Sequence, residues 1–420
     1  MWYDFQYKNE QYCVEEVPVE EIAATVGTPC YVYSRSALFG DFDAFSEAVA
    51  NLDPLVCYSV KANSNLAVLH AFAQMGCGFD IVSGGELQRV IKVGGDATKT
   101  VFSGVGKTED EMKAALEADI LFFNVESEAE LAALDRVARQ MGRRARIALR
   151  VNPDIDPNTH PYISTGLKKS KFGIPISRAR DVYAAARRME GIEIVGVDAH
   201  IGSQIVDLTA FAEAIEKLAA LADGLREDGI EVRYIDMGGG LGVAYEEDQD
   251  VPHPKEYADL LAKAVEGKPY KVVLEPGRVL VANAGVLVTR VLYVKEGEEG
   301  KRFVVVDAGM NDLLRPAFYG AKHQIVPAVE NFGDVHAVDV VGPVCETVDV
   351  LGKDVELPEV EAGDLLVVLS AGAYGFVMAS NYNSRPRPPE VMVDNEKFHV
   401  VRERERFEDL VRGEHIPEGL

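Results

Sequence analysis

From residue 30 to about 280 the chain alternates short β-rich runs with amphipathic stretches of helical period, and few folds accommodate that rhythm. Strand candidates are CYVYS (30–34), VCYSV (56–60), CGFDIVS (77–83), TVFSG (100–104), ILFFNV (120–125), RIALRVN (146–152), IVGVDAHIG (194–202), VRYIDMGGG (232–240) and KVVLEPG (271–277). Helical period runs through 127–141 and 208–225. Ser83 with Glu86, Thr108 with Glu111 and Ser127 with Glu130 have capping-box spacing, which starts a helix just after a strand. Strand-then-helix units demand a parallel sheet. About eight of them predict a closed (β/α)8, TIM-like barrel rather than an open sheet.

The rhythm changes after residue 282. Segments 285–309, 336–343, 364–374 and 389–401 are β-rich with turn-like gaps, which predicts a C-terminal β domain. The expected division is an N-terminal segment, 1–29, packing with that β domain, a barrel over 30–281 and the β domain over 282–420. A net charge of −25 excludes phosphate-backbone binding, so no nucleic-acid partner is expected. The five cysteines form no C-x-x-C pair and the eight histidines no H-x-x-x-H pair, so no structural metal is expected. The opening MWYDFQYKNE has no apolar core and no 18-residue apolar run occurs, so the chain is read as cytoplasmic, with no membrane partner.

Barrel enzymes carry their chemistry at the C-terminal ends of the strands. Lys61 ends the strand of VCYSVKANS (56–64). A lysine there either marks where the strand meets water or, if desolvated, offers a neutral amine able to form a Schiff base. Asp80, Arg150, His200, the glycines 238–240 and EPGR (275–278) stand at equivalent places. DMGGGLG (236–242) half-matches a dinucleotide fingerprint, but the acidic loop that follows is no helix opening, so that reading fails. The glycines are either an anion cradle or a flexible strand exit. EPGR joins a carboxylate to a rigid Pro-Gly turn and a guanidinium suited to carboxylate or phosphate. His200 and Ser203, in DAHIGSQ (198–204), read equally as structure or chemistry. In the β domain, Cys345 beside Glu346 is either a buried structural thiol or a proton donor. Tyr374 lies among glycines and small residues, which suits close approach to a ligand or another chain.

Taken in order and spacing, YSVKAN, FDIVSGGE, HIGSQI, GGGLG, EPGR, GPVCE and GAYGFVMASNYNSRPRP resemble the fold-type III pyridoxal-phosphate decarboxylases, of alanine-racemase-like architecture, from about residue 29 to 413. The resemblance implies pyridoxal 5'-phosphate as cofactor and an amino-acid substrate. It is strongest to the branch that converts meso-2,6-diaminopimelate to L-lysine and CO2. By it, Lys61 carries the cofactor and His200 stacks on the ring. Ser203, Gly238, Gly239, Gly240, Gly277 and Arg278 hold the phosphate, Glu275 faces the ring nitrogen, and Asp80 and Arg150 support the ring. Arg278, Arg315 and Tyr319 bind substrate carboxylate, Glu346 the distal amine, and Tyr374 lies where cofactor and substrate meet. Cys345 is the proton donor. The resemblance also implies a homodimer with shared sites, Cys345 and Glu346 coming from the neighbouring copy. Residues 158–174, with Lys168, Lys169 and Lys171, resemble the family's mobile lid. Thr347 stands where the family more often has serine. Within the fold, ornithine, arginine or carboxynorspermidine decarboxylation would call for carboxylates at the substrate's far end, where this chain has Arg315. An amino-acid racemase would have no use for Cys345 with Glu346, and a catalytically dead relative no need of Lys61, Glu275 and Cys345 together.

Overall fold

The computed structural model describes residues 4–156, 171–246 and 249–419. The chain forms two compact units, one of residues 39–244 and 250–280, the other of residues 1–38, 245–249 and 281–420.

The first unit is a closed parallel barrel. Its strands are β1 (Leu55–Ser59), β2 (Gly78–Ile81), β3 (Thr100–Phe102), β4 (Phe122–Val125), β5 (Ala145–Asn152), β6 (Ile192–Asp198), β7 (Tyr234–Asp236) and β8 (Lys271–Leu274). Each pairs in parallel with the next, and β8 returns to β1, so the barrel has no free edge. Cys57, Val101, Phe122, Ala148, Val195 and Val273, from six strands, form one fully buried cluster. A barrel filled this way is a core rather than a pore. The ladder between β5 and β6 slips between Ile194 and Gly196. Tyr183, on the helix Ile176–Ala186, repairs the slip: its hydroxyl accepts from Leu149 N–H at 3.1 Å and donates to the Gly196 carbonyl at 2.7 Å.

Helices follow most strands where the sequence places them. Glu128–Gln140 and Leu208–Glu227 match the two periodic stretches. Of the three expected capping boxes, only Thr108 with Glu111 is fully reciprocal. Ser83 and Ser127 do accept from the N–H three residues on, but Glu86 and Glu130 reach one residue further back, to the N–H of Val82 and of Glu126. Those carboxylates thereby tie down the strand exit instead of the cap.

The second unit is built on sheets. Its longest strand, Gly285–Glu296, pairs with Cys30–Ser34 and Leu365–Val368 along its first half and with Arg302–Val306 along its second. Val335–Val341 and Val350–Pro358 extend one side, Glu390–Asp394 and Lys397–Arg402 the other. Cys30–Ser34 therefore departs from the sequence reading, which grouped it with the barrel. All five of its residues are buried, and such a strand carries no sign of which sheet it joins. The N-terminal strands Phe5–Lys8, Gln11–Val14 and Val17–Pro18 make a small sheet of their own. Phe5, Tyr12 and Val14 share a core with Val286, Val367 and Val391 of the larger one.

Candidate active site

A parallel barrel collects the C-terminal ends of all its strands on one face, and the sequence-derived candidates from Lys61 to Arg278 belong to this unit. After β1 the chain tightens into the turn Val60–Ala62, which presents Lys61. Lys61 Nζ lies 2.5 Å from Oδ2 of Asp80, the residue of β2 in register with Ser59. Ser59 Oγ is 2.7 Å from the same oxygen and 3.0 Å from the Glu275 carbonyl, one proton shared between two acceptors. The Lys61 side chain is 32% exposed while Asp80 is fully buried, so the lysine is ion-paired at an open mouth rather than simply desolvated. Its amine is thus accessible and held in one place.

Glu275, just past β8, lies in a buried acidic layer. Asn124 of β4 donates to Asp236 Oδ2 at 3.0 Å and to Glu275 Oε1 at 3.3 Å, bridging the two carboxyls with one amide. Burial, and then the charges of Asp236 and Asp80, hold the Glu275 carboxyl well above its ordinary range; Lys61 and Arg150 pull the other way. Asp236 is raised by burial and by Asp198, and Asp198 by burial and by Glu275. Asp80 Oδ1 and Asp198 Oδ1 are buried without a hydrogen-bond partner. Clustered like charges in a desolvated pocket do not all ionise, so this layer retains protons.

His200, two residues beyond β6, accepts the Gly239 N–H at Nδ1 over 3.1 Å, which puts its own hydrogen on Nε2. Burial, with Arg150 and Lys61 adding to it, pushes its pKa well below the usual histidine value, so the ring is neutral. Arg150 pairs with Glu126 at 2.7 Å and reaches the His200 carbonyl at 3.3 Å. Glu126 also accepts the N–H groups of Gly104 and Gly173, tying the exits of three strands together.

The glycine run is not a flexible exit. A Cβ on Gly238 would stand 2.6 Å from His200 Nδ1, one on Gly239 2.1 Å from the Glu275 carbonyl, and one on Gly240 2.3 Å from the Gly202 carbonyl. Gly238 and Gly240 also need φ of +62° and +115°, which other residues rarely adopt. Ser203 Oγ accepts from Arg278 Nη2 at 3.1 Å, and Gly277 packs where a Cβ would come 2.9 Å from Ser59. Among the described residues no helix opens after the glycines until Pro254–Val265, in keeping with the failed dinucleotide reading.

Arg315, Tyr319, Cys345, Glu346 and Tyr374 belong to the sheet unit. Arg315 is buried and Tyr319 half-buried on the short helix Arg315–Tyr319. Cys345 is exposed whereas the other four cysteines are buried, so the structural-thiol reading fails for it alone. Its N–H donates to Asn383 Oδ1 at 3.3 Å, and Glu346 accepts from the Tyr382 hydroxyl. Tyr374 has a φ of +55°, between Gly372, where a Cβ would lie 1.9 Å from the Val281 carbonyl, and Gly375. Lys168, Lys169 and most of the 158–174 segment lie outside the described residues; Lys171 sits 5.3 Å from the Phe172 ring.

Sequence reasoning missed Asn124, Glu126, Asp198 and Asp236. Asp198 and Asp236 had a visible signal, since each is a carboxylate ending an otherwise apolar strand. Among the described residues no cluster of His, Cys, Asp and Glu is arranged to hold a metal ion, and no helix is long and apolar enough to cross a membrane.

Residues 37–282 match the pyridoxal-binding domain of the pyridoxal-dependent decarboxylases. The chain is 52% identical over 408 residues to the diaminopimelate decarboxylase of Vibrio cholerae serotype O1, covering 97% of each. Among solved structures it is similar to the Helicobacter pylori diaminopimelate decarboxylase complexed with L-lysine, with a TM-score of 0.90, 45% identity and 94% and 98% of the two chains covered. The M. jannaschii enzyme in co-complex with L-lysine gives a TM-score of 0.94 at 38% identity, covering 99% and 98%.

Proposed function

The chain belongs to the diaminopimelate decarboxylases, pyridoxal-phosphate enzymes that release CO2 from meso-2,6-diaminopimelate to leave L-lysine, the final step of lysine biosynthesis, and from that premise we propose how its residues divide the work. The observation that carries the reading is Lys61 paired to buried Asp80 beside a buried acidic layer and a glycine cradle.

These residues fit the cofactor. The glycines 238–240 leave backbone where side chains would collide; the N–H groups of Gly238 and Gly239 are held by Asp236 and His200, and Gly240, Gly277, Ser203 and Arg278 would offer N–H, hydroxyl and guanidinium donors to a phosphate. Pyridoxal phosphate supplies, when bound, a protonated aromatic ring that accepts the electron pair left by departing CO2. Lys61 holds it covalently, and Asp80 with Ser59 fixes the direction of that amine. Glu275 keeps a proton at its carboxyl, available to a basic ring nitrogen, and Asn124 orients it. His200 offers the face of a neutral ring, so it adds no positive charge beside Lys61 and Arg150.

Arg278, Arg315 and Tyr319 bind substrate carboxylate, Glu346 the distal ammonium, and Tyr374 lies where cofactor and substrate meet. Contacts remote from the bond that breaks orient it and select the substrate. Cys345 donates a proton from Sγ to the carbon that lost its carboxylate. An exposed Cys345 beside an exposed Glu346 suits a residue pair supplied to a second copy of the chain, so the working unit is a homodimer with shared sites. Five free thiols suit a reducing cytoplasm.

The test is CO2 release by purified protein with added pyridoxal phosphate, comparing meso-diaminopimelate with L-ornithine, L-arginine and carboxynorspermidine. The reading expects turnover of diaminopimelate alone. Turnover of a purely cationic diamine instead would overturn the role given to Arg315.

A further inference from the structure

Arg315 is held by His323, eight residues on in the chain, and by Tyr245 from a separate stretch. It is 5% exposed, and its Nη1 lies 2.7 Å from His323 Nε2. The other ring nitrogen of His323, Nδ1, is 2.8 Å from the Leu369 carbonyl oxygen. A carbonyl only accepts, so Nδ1 carries the hydrogen and Nε2 of the neutral ring offers its lone pair to the guanidinium. Tyr245 supplies an aromatic face, its ring centroid 4.4 Å from the guanidinium carbon. Tyr245 and His323 meet edge to face with centroids 5.2 Å apart. Three stretches of chain thus fix the plane of one cation.

The chemistry of those two partners matters. A carboxylate would hold an arginine more strongly, but it would also cancel its charge and compete with an incoming anion. A neutral imidazole and an aromatic face orient the guanidinium without bringing a negative charge of their own. An arginine fixed in advance also loses less side-chain freedom when it binds.

We propose that His323 and Tyr245 are positioning residues that set the plane of the Arg315 guanidinium for the far carboxylate of the substrate, and so determine how well a diamino-dicarboxylate is bound. The proposal rests on the reading of Arg315 as a substrate-carboxylate ligand.

The experiment is steady-state kinetics of the holoenzyme on meso-diaminopimelate for His323→Leu, His323→Gln, Tyr245→Leu and Arg315→Ala, with pyridoxal-phosphate affinity measured for each. Losing a buried hydrogen bond to a charged group predicts a KM for His323→Leu raised by about 10- to 100-fold. Its kcat should stay within about threefold, and its cofactor affinity should not change. His323→Gln, whose amide can accept from Arg315 and donate to the Leu369 carbonyl, should recover most of the lost KM. Tyr245→Leu should raise KM in the same direction by a smaller factor, and it carries the test alone if His323→Leu does not fold. An unchanged KM in His323→Leu and Tyr245→Leu, or activity lost only in step with cofactor affinity, overturns the proposal. If Arg315→Ala also keeps its KM, the role of Arg315 itself is wrong; if only that variant loses it, the positioning alone is wrong.

Discussion

In the sheet unit Val14, Val32, Val286, Val367 and Val391 close on one another almost without exposure, while at the mouth of the barrel Asp80, Asp198, Asp236 and Glu275 are buried to the same degree. Burying a valine side chain stabilises a fold by about 1.5–3 kcal/mol. Burying a carboxylate costs free energy unless it is paired or protonated. The same burial therefore has opposite signs in the valine cluster and in the acidic layer. The barrel carries this acidic layer at one end of a closed sheet whose centre is an apolar cluster. The sheet unit buries charge as well, but Asp312, Arg315 and Glu390 each have a hydrogen-bond partner there, and Cys345 and Glu346 stand at its surface.

Several substitutions would break or sharpen that contrast. Lys61→Ala should lower CO2 release by several orders of magnitude while the protein keeps its melting temperature within a few degrees. A near-normal rate would remove Lys61 from the mechanism. Ile22→Ala, at a fully buried position of the sheet-unit core, should behave in the reverse way. We expect it to destabilise the fold by about 2–5 kcal/mol in denaturant titrations, with the kcat of the folded fraction unchanged. Cys345→Ala should slow turnover by about 100-fold and leave cofactor absorbance intact.

The smallest effect is a gain. Asp198→Asn neutralises a buried carboxyl without removing a hydrogen bond recorded for it, and should stabilise the cofactor-free protein by about 1 kcal/mol at pH 8. The sign follows from the raised pKa. Stability linked to Asp198 is fully present below the ordinary aspartate value and is lost as pH rises through the folded-state value. Glu86, pushed up to about 7 mainly by burial, acts in the same direction. The advantage of Asp198→Asn in melting temperature should therefore shrink as pH falls toward 4; an advantage independent of pH would show that the acidic layer is not under charge strain.

Much of this was legible in the sequence because strands and their exits are local. The eight barrel strands, Lys61, His200, the glycines and EPGR are short contiguous signals, and each lies where a parallel barrel collects its strand ends. What stayed hidden depends on contacts between distant residues. Cys30–Ser34 reads as a barrel strand until its pairing with Gly285–Glu296 is seen. Val350–Pro358 was passed over because its exposed Lys353 and Asp354 break the apolar pattern of a strand that is solvated on one side. The contact of Arg315 with Tyr245 and His323 leaves no local trace, since none of the three residue types is unusual where it stands. The Lys61 reading was half right: the residue is at the predicted strand exit, but its ion pair with Asp80 could be known only once β1 and β2 were in register.

The central claim is that the barrel of one copy and the exposed Cys345 and Glu346 of another make one site. Mixing Lys61→Ala and Cys345→Ala protein, each at about a hundredth of the wild-type rate or less alone, and letting subunits exchange tests it directly. Random exchange makes about half the dimers mixed, each with one intact site of two, so the account predicts recovery of about a quarter of the wild-type rate. No recovery, with exchange shown independently to have occurred, would contradict it.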